Sequence, residues 1–186
     1  MAAARPESPE AADLSQLRDI GALAAWSVSS SKPNYGVEHL SDPNIKTLWQ
    51  SEGGQPHLIN IQFSKKQSIS QISIYADVSQ DDSYTPQKIS LRAGTYHGDL
   101  HEVRWVDLQQ PNGWQHLKIG GSARGDDDGG EPIRAHLIQI AIISNHMNGK
   151  DTHVRGVRIF APRQPLITDG LLPFQTVAFK QHETIR

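Results

Sequence analysis

The chain contains no cysteine, and that one absence closes several routes. Disulfides, cysteine-ligated zinc and a thiol nucleophile are excluded together, and so is carriage of an activated group as a thioester. Long apolar runs are missing too. None approaches the roughly 20 residues that a helical membrane span needs, and no apolar stretch follows a basic start, so no secretory signal is expected. Charge of one sign is equally scarce: 18 Lys and Arg face 20 Asp and Glu, a formal net charge of −2. Such a balance lacks the basic footprint of a nucleic-acid binder, and the isolated Lys65-Lys66 pair reads as a solvated turn. The recognisable catalytic frames are absent as well. Despite nine histidines, there is no G-x-S-x-G, H-E-x-x-H, G-x-x-x-x-G-K-[ST] or G-x-G-x-x-G. His146, Asp151 and His153 match no standard metal-ligand spacing, so neither a metal nor another cofactor is expected.

What the chain does have is a succession of short strands. Its 186 residues suit one domain with short tails. Met1 to Ala12, rich in Ala, Pro and Glu, offers nothing to bury and is expected to be a disordered tail. Asp13, with Gln16 three residues on, is placed to cap a short helix carrying Leu14, Leu17 and Ile20 on one face. From Ala24 onward the apolar period becomes two. Ile59, Ile61 and Phe63 alternate with Asn60 and Gln62; Ile72, Ile74 and Ala76 with Ser73 and Tyr75; Ile89, Leu91 and Ala93 with Ser90 and Arg92. These patterns predict half-buried strands. Shorter candidates lie at Trp26 to Ser29, Val103 to Leu108 and Trp114 to Ile119. Leu137 to Ile143 is β-branched and almost wholly apolar, the composition of a central strand. Val157 and Ile159 alternate with Arg158 and Phe160 in another, and Gly156, where the apolar phase shifts from Val154 to Val157, predicts a bulge. Many short strands and few helices indicate a β-sandwich or barrel. The domain should span residues 13–163, with 164–186 a partly disordered tail, docked on the domain or offered to a partner. Gly120 to Glu131, with Asp126-Asp127-Asp128 among glycines, predicts a surface loop; its Arg124-Gly125-Asp126 is taken as chance.

Three polar segments stand out between the strands. The densest runs from Ser144 through Asn145, His146, Met147, Asn148, Gly149, Lys150, Asp151 and Thr152 to His153. Loops held by rigid strands are where binding sites tend to lie. The plainer alternative is a structural loop, with Asn148-Gly149 as a tight turn because both tolerate φ > 0. Closing a turn needs far fewer hydrogen-bonding side chains, however. Trp49 to His57 is a second polar segment, with Trp49 read as a core plug. Asp77 to Pro86 is the third, where Tyr84 between hydroxyl-bearing neighbours is either a recognition surface or a ring packed over the sandwich edge.

In sequence, Trp26-Ser27-Val28-Ser29-Ser30 with Lys32-Pro33 and Gly36, then Leu40, Asp42, Asn44, Thr47, Trp49-Gln50-Ser51 and Gln55-Pro56-His57, closely resembles the DOC domain. So do Tyr75-Ala76-Asp77, Ser83-Tyr84-Thr85-Pro86 and the loop from Asn145 to His153, so that the resemblance covers Leu17 to Pro162 in order. The terminal Ile185-Arg186 adds to it: a short stand-alone chain with this ending resembles the DOC subunit of the anaphase-promoting complex, the multi-subunit ubiquitin ligase of the cell cycle.

The resemblance implies a jelly-roll β-sandwich of the galactose-binding-domain-like type, in agreement with the strand pattern. It implies a non-catalytic protein of nucleus and cytoplasm that acts with a WD40 coactivator as co-receptor for destruction-box degrons, such as those of mitotic cyclins, and raises the processivity of ubiquitination. The degron-facing residues it implies are Ser83, Tyr84 and Thr85 in one segment and Asn145, His146, Asn148, Gly149, Asp151, Thr152 and His153 in another. Met147 is left out as a position of expected tolerance. Ile185 and Arg186 are implied to dock on a TPR-repeat subunit, within a complex that also holds a cullin-like subunit. Zero cysteines fit this independently, since neither a zinc-held RING nor a catalytic thiol can be built. The acidic Asp126 to Asp128 loop departs from the family, where this connection is shorter. The rival from a different class is a carbohydrate-binding module, because the same fold commonly binds sugars through the same end; the missing secretory signal and the lack of an obvious stacking platform argue against it.

Overall fold

Isoleucines spaced two apart make one face of a strand apolar, and that face must be covered by a second layer, here another sheet. The computed structural model, which describes residues 14–120 and 131–163, has that arrangement. Its strands are β1 (Leu17–Asp19), β2 (Ala24–Val28), β3 (Trp49–Gln50), β4 (His57–Ile69), β5 (Gln71–Asp77), β6 (Pro86–Gly94), β7 (His101–Asp107), β8 (Asn112–Lys118), β9 (Ile133–Asn145), β10 (His153–Val154) and β11 (Gly156–Pro162). A four-stranded sheet in the order β1-β11-β5-β8 packs on a five-stranded sheet in the order β2-β4-β9-β6-β7, and β3 pairs with β10 in a small third sheet. Every pairing is antiparallel.

The core lies between the two large sheets. Ile59 and Ile61 of β4, Ile89 and Leu91 of β6, and Ile138, Ile140 and Ile142 of β9 meet Ile72 and Ile74 of β5 and Val157 and Ile159 of β11. Each such side chain contributes about 1.5–3 kcal/mol by leaving water. Trp49 is fully buried, as a core plug would be, and its indole N–H donates to the Ser30 carbonyl at 3.0 Å. The second face of β9 is closed too, which is why Leu137 to Ile143 is almost wholly apolar. Leu137 and Ala141 are buried there, and the Gln139 carboxamide donates to Asn60 Oδ1 at 2.9 Å and accepts from Arg92 at 3.0 Å.

Several local expectations are corrected. The short N-terminal helix is a single 3-10 turn, Leu14–Gln16, after which Leu17–Asp19 forms β1 against β11. A helix of so few residues cannot sustain itself, and the open edge of β11 supplies backbone partners instead. No bulge occurs at Gly156, whose register runs unbroken from Gly156↔Tyr75 to Phe160↔Gln71. The apolar phase shifts because the chain leaves β10 at Arg155 and enters a different sheet as β11. A Cβ at Gly156 would lie 3.0 Å from Trp114 Cη2, so a larger residue there would require the indole to shift. Lys65 and Lys66 are exposed as expected but sit within β4, where its register with β9 skips between Gln62 and Gln67. Strand β5 is not half-buried: Gln71 and Ser73 on its second face are covered, with His116 Nδ1 2.7 Å from Ser73 Oγ. The tails at residues 1–12 and 164–186, Asp126 to Asp128, and the Ile185-Arg186 terminus fall outside the described residues.

Candidate functional site

Two connections from different sheets meet at one edge of the sandwich. One follows β5: Asp77 caps the single-turn helix α1 (Val78–Asp81) by accepting from the Ser79 N–H at 2.9 Å, and a 3-10 turn, Asp82–Tyr84, leads into β6. Hydrogen bonds from Ser79, chiefly that of its hydroxyl, hold the Asp77 carboxyl below its ordinary value. The other connection is the segment from Asn145 to His153, between β9 and β10.

All ten expected degron-facing residues come together here, whereas the expected partner-binding Ile185 and Arg186 lie outside the described residues. The His146 N–H donates to the Thr85 carbonyl at 2.9 Å, and Thr152 Oγ1 donates to the Tyr84 carbonyl at 3.2 Å. The Tyr84 and His153 rings stack, with centroids 4.2 Å apart and planes within 8°. Gly149 fits against the backbone of Ser83 so closely that a Cβ on it would lie 1.7 Å from the Ser83 carbonyl oxygen. This revises the reading of Asn148-Gly149 as a turn pair. The left-handed residues are Met147 and Asn148, at φ 49° and 56°, whereas Gly149 has φ −59°. Asparagine adopts such angles readily; for methionine the conformation is uncommon, and Met147 adopts it while 65% exposed.

The ten residues divide by burial. Thr85, Asn145 and Thr152 are buried and build the loops rather than face solvent. Asn145 Nδ2 donates to the carbonyls of Gly149 and Asp151 at 3.2 and 2.7 Å, closing its own loop. Tyr84 and Asn148 are exposed, and Ser83, His146, Gly149, Asp151 and His153 are half-buried. The accessible surface therefore presents the Tyr84 ring and the Met147 side chain among hydroxyl, amide and imidazole groups. Asp151 lies 3.3 Å from Lys32 Nζ, so its charge is balanced locally.

Sequence reasoning missed the braces behind this surface. Ser51 exchanges two bonds with Thr152, its N–H donating to the Thr152 carbonyl at 3.0 Å and its Oγ accepting from the Thr152 N–H at 2.8 Å. Gln55 Nε2 donates to the Gly149 carbonyl at 2.9 Å, and buried His57 donates through Nε2 to the Lys150 carbonyl at 2.7 Å. The polar stretch from Trp49 to His57 is thus a buttress for the longer loop. A deeper brace is Asp81, 4% exposed, whose carboxylate takes a bidentate contact from Arg155 at 2.6 and 2.8 Å and lies 3.2 Å from His153 Nδ1. Burial pushes this carboxyl up, but the bonds from His153 and Arg155 outweigh it and hold it below the usual value; the same contact raises Arg155. Neither residue carried a local sign of the pairing, which spans 74 positions.

Among the described residues, no group of three or more His, Asp or Glu converges as a metal site would. A separate groove of about 590 Å³ runs between Gly21 to Ala24 and Ser41 to Pro43 and contains none of the expected site residues.

A two-sheet antiparallel jelly roll with its polar loops gathered at one edge defines a galactose-binding-like domain. Solved structures bear this out at the level of fold. A family 32 carbohydrate-binding module from Clostridium perfringens, solved with galactose, matches at TM-score 0.62 and 17% identity over 77% of this chain and 98% of its own. An F5/8 type C domain from Bacteroides fragilis matches at TM-score 0.62 and 12% identity over 80% of this chain and 99% of its own. The family is given by sequence. Residues 2–184 match the family model described as anaphase-promoting complex, subunit 10 (APC10). Anaphase-promoting complex subunit 10 of Homo sapiens is 41% identical over 186 residues, 97% of each chain, and that of Drosophila melanogaster is 48% identical over 174 residues, 91% of this chain and 85% of its own. The Schizosaccharomyces pombe protein of the same name is 41% identical over 90% of this chain and 87% of its own. The chain belongs to the anaphase-promoting complex subunit 10 family, and its partners are other subunits of that complex.

Proposed function

We propose that the chain is a non-catalytic co-receptor for destruction-box degrons, acting with a WD40 coactivator and raising the processivity of ubiquitination. The observation that supports this most is the convergence of Ser83 to Thr85 with Asn145 to His153 on one surface, through the Tyr84–His153 stack and the Gly149–Ser83 contact. A surface of hydroxyls, amides and one exposed ring suits the extended polar end of a degron, leaving the Arg and Leu of the destruction box to the coactivator. Apart from Tyr84 and Met147 little apolar area is on offer, so intrinsic affinity is weak. Two linked half-sites gain on the order of 10² to 10⁴ in avidity without any new contact, and a substrate held that way stays bound through successive transfers. Ile185-Arg186 docks on a TPR-repeat subunit, the isoleucine as apolar anchor and the guanidinium as a charge to be paired. A cullin-like subunit neighbours it in the complex, mitotic cyclins are among the substrates, and the protein works in nucleus and cytoplasm.

Buried Asn145 is a poor probe of this reading, because its loss would dismantle the loop. Replacing exposed Tyr84 and Asn148 together by alanine should impair degron-dependent ubiquitination by the reconstituted ligase while leaving assembly intact. Deleting Ile185-Arg186 should weaken assembly instead. Equal effects of both changes on incorporation would refute the division between the two surfaces. Carbohydrate binding, suggested by fold alone, predicts micromolar glycan affinity and indifference to destruction-box peptides.

A further inference from the structure

We infer that Asp81 is a positioning residue of this corner: a buried carboxylate that fixes the tautomer and plane of His153 and, through their stacking, the plane of the exposed Tyr84 ring. The inference rests on reading the corner as the degron surface, and deepens it by assigning a role to a residue that touches no ligand.

The chemistry of the carboxylate decides the tautomer. Ionised, Asp81 can only accept hydrogen bonds. Its Oδ1 lies 3.2 Å from His153 Nδ1 and 2.6 Å from Arg155 Nη2, and its Oδ2 lies 2.8 Å from Arg155 Nε. A hydrogen on His153 must then sit on Nδ1, and when the ring carries only one hydrogen Nε2 is left as a bare lone pair. That assignment agrees with a second observation, since Nε2 is closed off from solvent and has no hydrogen-bond partner among the described residues. The other tautomer would point a lone pair at a carboxylate and bury an N–H without a partner, both costly. Backbone pairing of His153 with Gln50 fixes the ring's origin, and the bond to Asp81 fixes its rotation.

Tyr84 depends on that rotation. Its ring is 38% exposed and lies nearly parallel to His153 at 4.2 Å, while Thr152 holds its backbone. An aromatic side chain at such a surface is useful to a ligand when its two side-chain torsions are already set. Arg155 extends the anchorage by donating from Nη1 to the Ile45 carbonyl at 3.2 Å. One carboxylate thus ties the Asp82–Tyr84 turn to β10 and to the segment before β3.

The first test needs no variant. In ¹⁵N-labelled full-length protein, the long-range ¹H–¹⁵N spectrum of His153 should show a protonated Nδ1 and a pyridine-like Nε2; a protonated Nε2 alone would overturn the inference. The second test uses the reconstituted ligase with its coactivator and a destruction-box substrate. Asp81→Asn and Tyr84→Ala should each weaken substrate binding by roughly threefold to tenfold, and the double variant should be no worse than Tyr84→Ala. Additive losses would show that Asp81 does not act through Tyr84, and would overturn the inference. If Tyr84→Ala leaves degron use unchanged, the degron reading of this corner fails, and the His153 spectrum alone then decides the role of Asp81. Should Asp81→Asn fail to fold, the spectrum of the unaltered protein decides it likewise.

Discussion

Gly149→Ala separates two explanations for a glycine by the sign of its effect. If Gly149 were present for backbone freedom at an unstrained position, alanine would be harmless, because φ −59° and ψ 141° suit any residue. Alanine would then stabilise by about 0.4–1 kcal/mol through the unfolded chain. The geometry demands the opposite. A Cβ 1.7 Å from the Ser83 carbonyl oxygen and 2.6 Å from its carbon meets backbone, not the flexible end of a side chain. Neither loop yields easily: the Gly149 carbonyl accepts from Gln55 and Asn145, and the Asp82–Tyr84 turn is held by Thr152 and Asp81. Relief requires the loops to part by more than an ångström, at a cost of about 1–3 kcal/mol or above. In a thermal melt of the full chain, with about 2–4 °C per kcal/mol for a protein of this size, the midpoint should fall by roughly 2–12 °C. Degron-dependent binding should fall with it, since the parting moves Ser83 and Tyr84 away from Asn148. A midpoint that stays level or rises would refute the close-approach argument and return Gly149 to the role of an ordinary loop glycine.

Acid sensitivity should report on Asp81. Its folded-state pKa lies below the unfolded one, so its contribution is complete above the ordinary Asp value of about 3.9 and is lost as pH falls through the folded pKa. Stability of the unaltered protein should therefore drop more steeply below about pH 4 than that of Asp81→Asn, and parallel acid profiles in urea titrations would contradict the assignment. In the core, Ile140→Ala on β9 removes a fully buried side chain between the sheets and should cost about 2–5 kcal/mol; a denaturant midpoint shifted by less than a third of that would mean the sheets close over the gap.

What could be read from the sequence followed the range of the physics involved. Strands β4, β6 and β11 were legible because burial on a pleated surface imposes a period of two, and β9 because Leu137 to Ile143 is almost wholly apolar, signals carried within each strand. Strand β9 was legible even as central, since Leu137 and Ala141 on its second face are apolar as well. Strand β1 was not: three residues carry no period, and Leu14, Leu17 and Ile20 fit a helical spacing that the open edge of β11 overrides. The half-burial expected of β5 failed for a related reason, because the side chain in contact with both Ser73 and Gln71, His116, comes from β8, more than forty residues away.

The site shows the same limit more sharply. Its content was legible, because a loop that carries amides, imidazoles, a carboxylate and a hydroxyl beyond what a turn requires is visible as composition. Its construction was not, because each brace joins segments tens of residues apart: Ser51 to Thr152, His57 to Lys150, Asp81 to Arg155. Gly149 is the instructive case. Read locally, a glycine after asparagine signals a turn; in the fold, the turn geometry falls on Met147 and Asn148, and the glycine answers to Ser83 across the gap. The jelly roll accounts for the arrangement. Its strands pass repeatedly between two sheets, so connections far apart in sequence are delivered to one edge, where they must be held by contacts that no local pattern encodes. Residues that face solvent at such an edge are free to follow the ligand, and those behind them are bound to one another. Substitutions at Tyr84 and Asn148 should accordingly alter binding with little change in stability, whereas substitutions at Asp81, Ser51 and His57 should alter both.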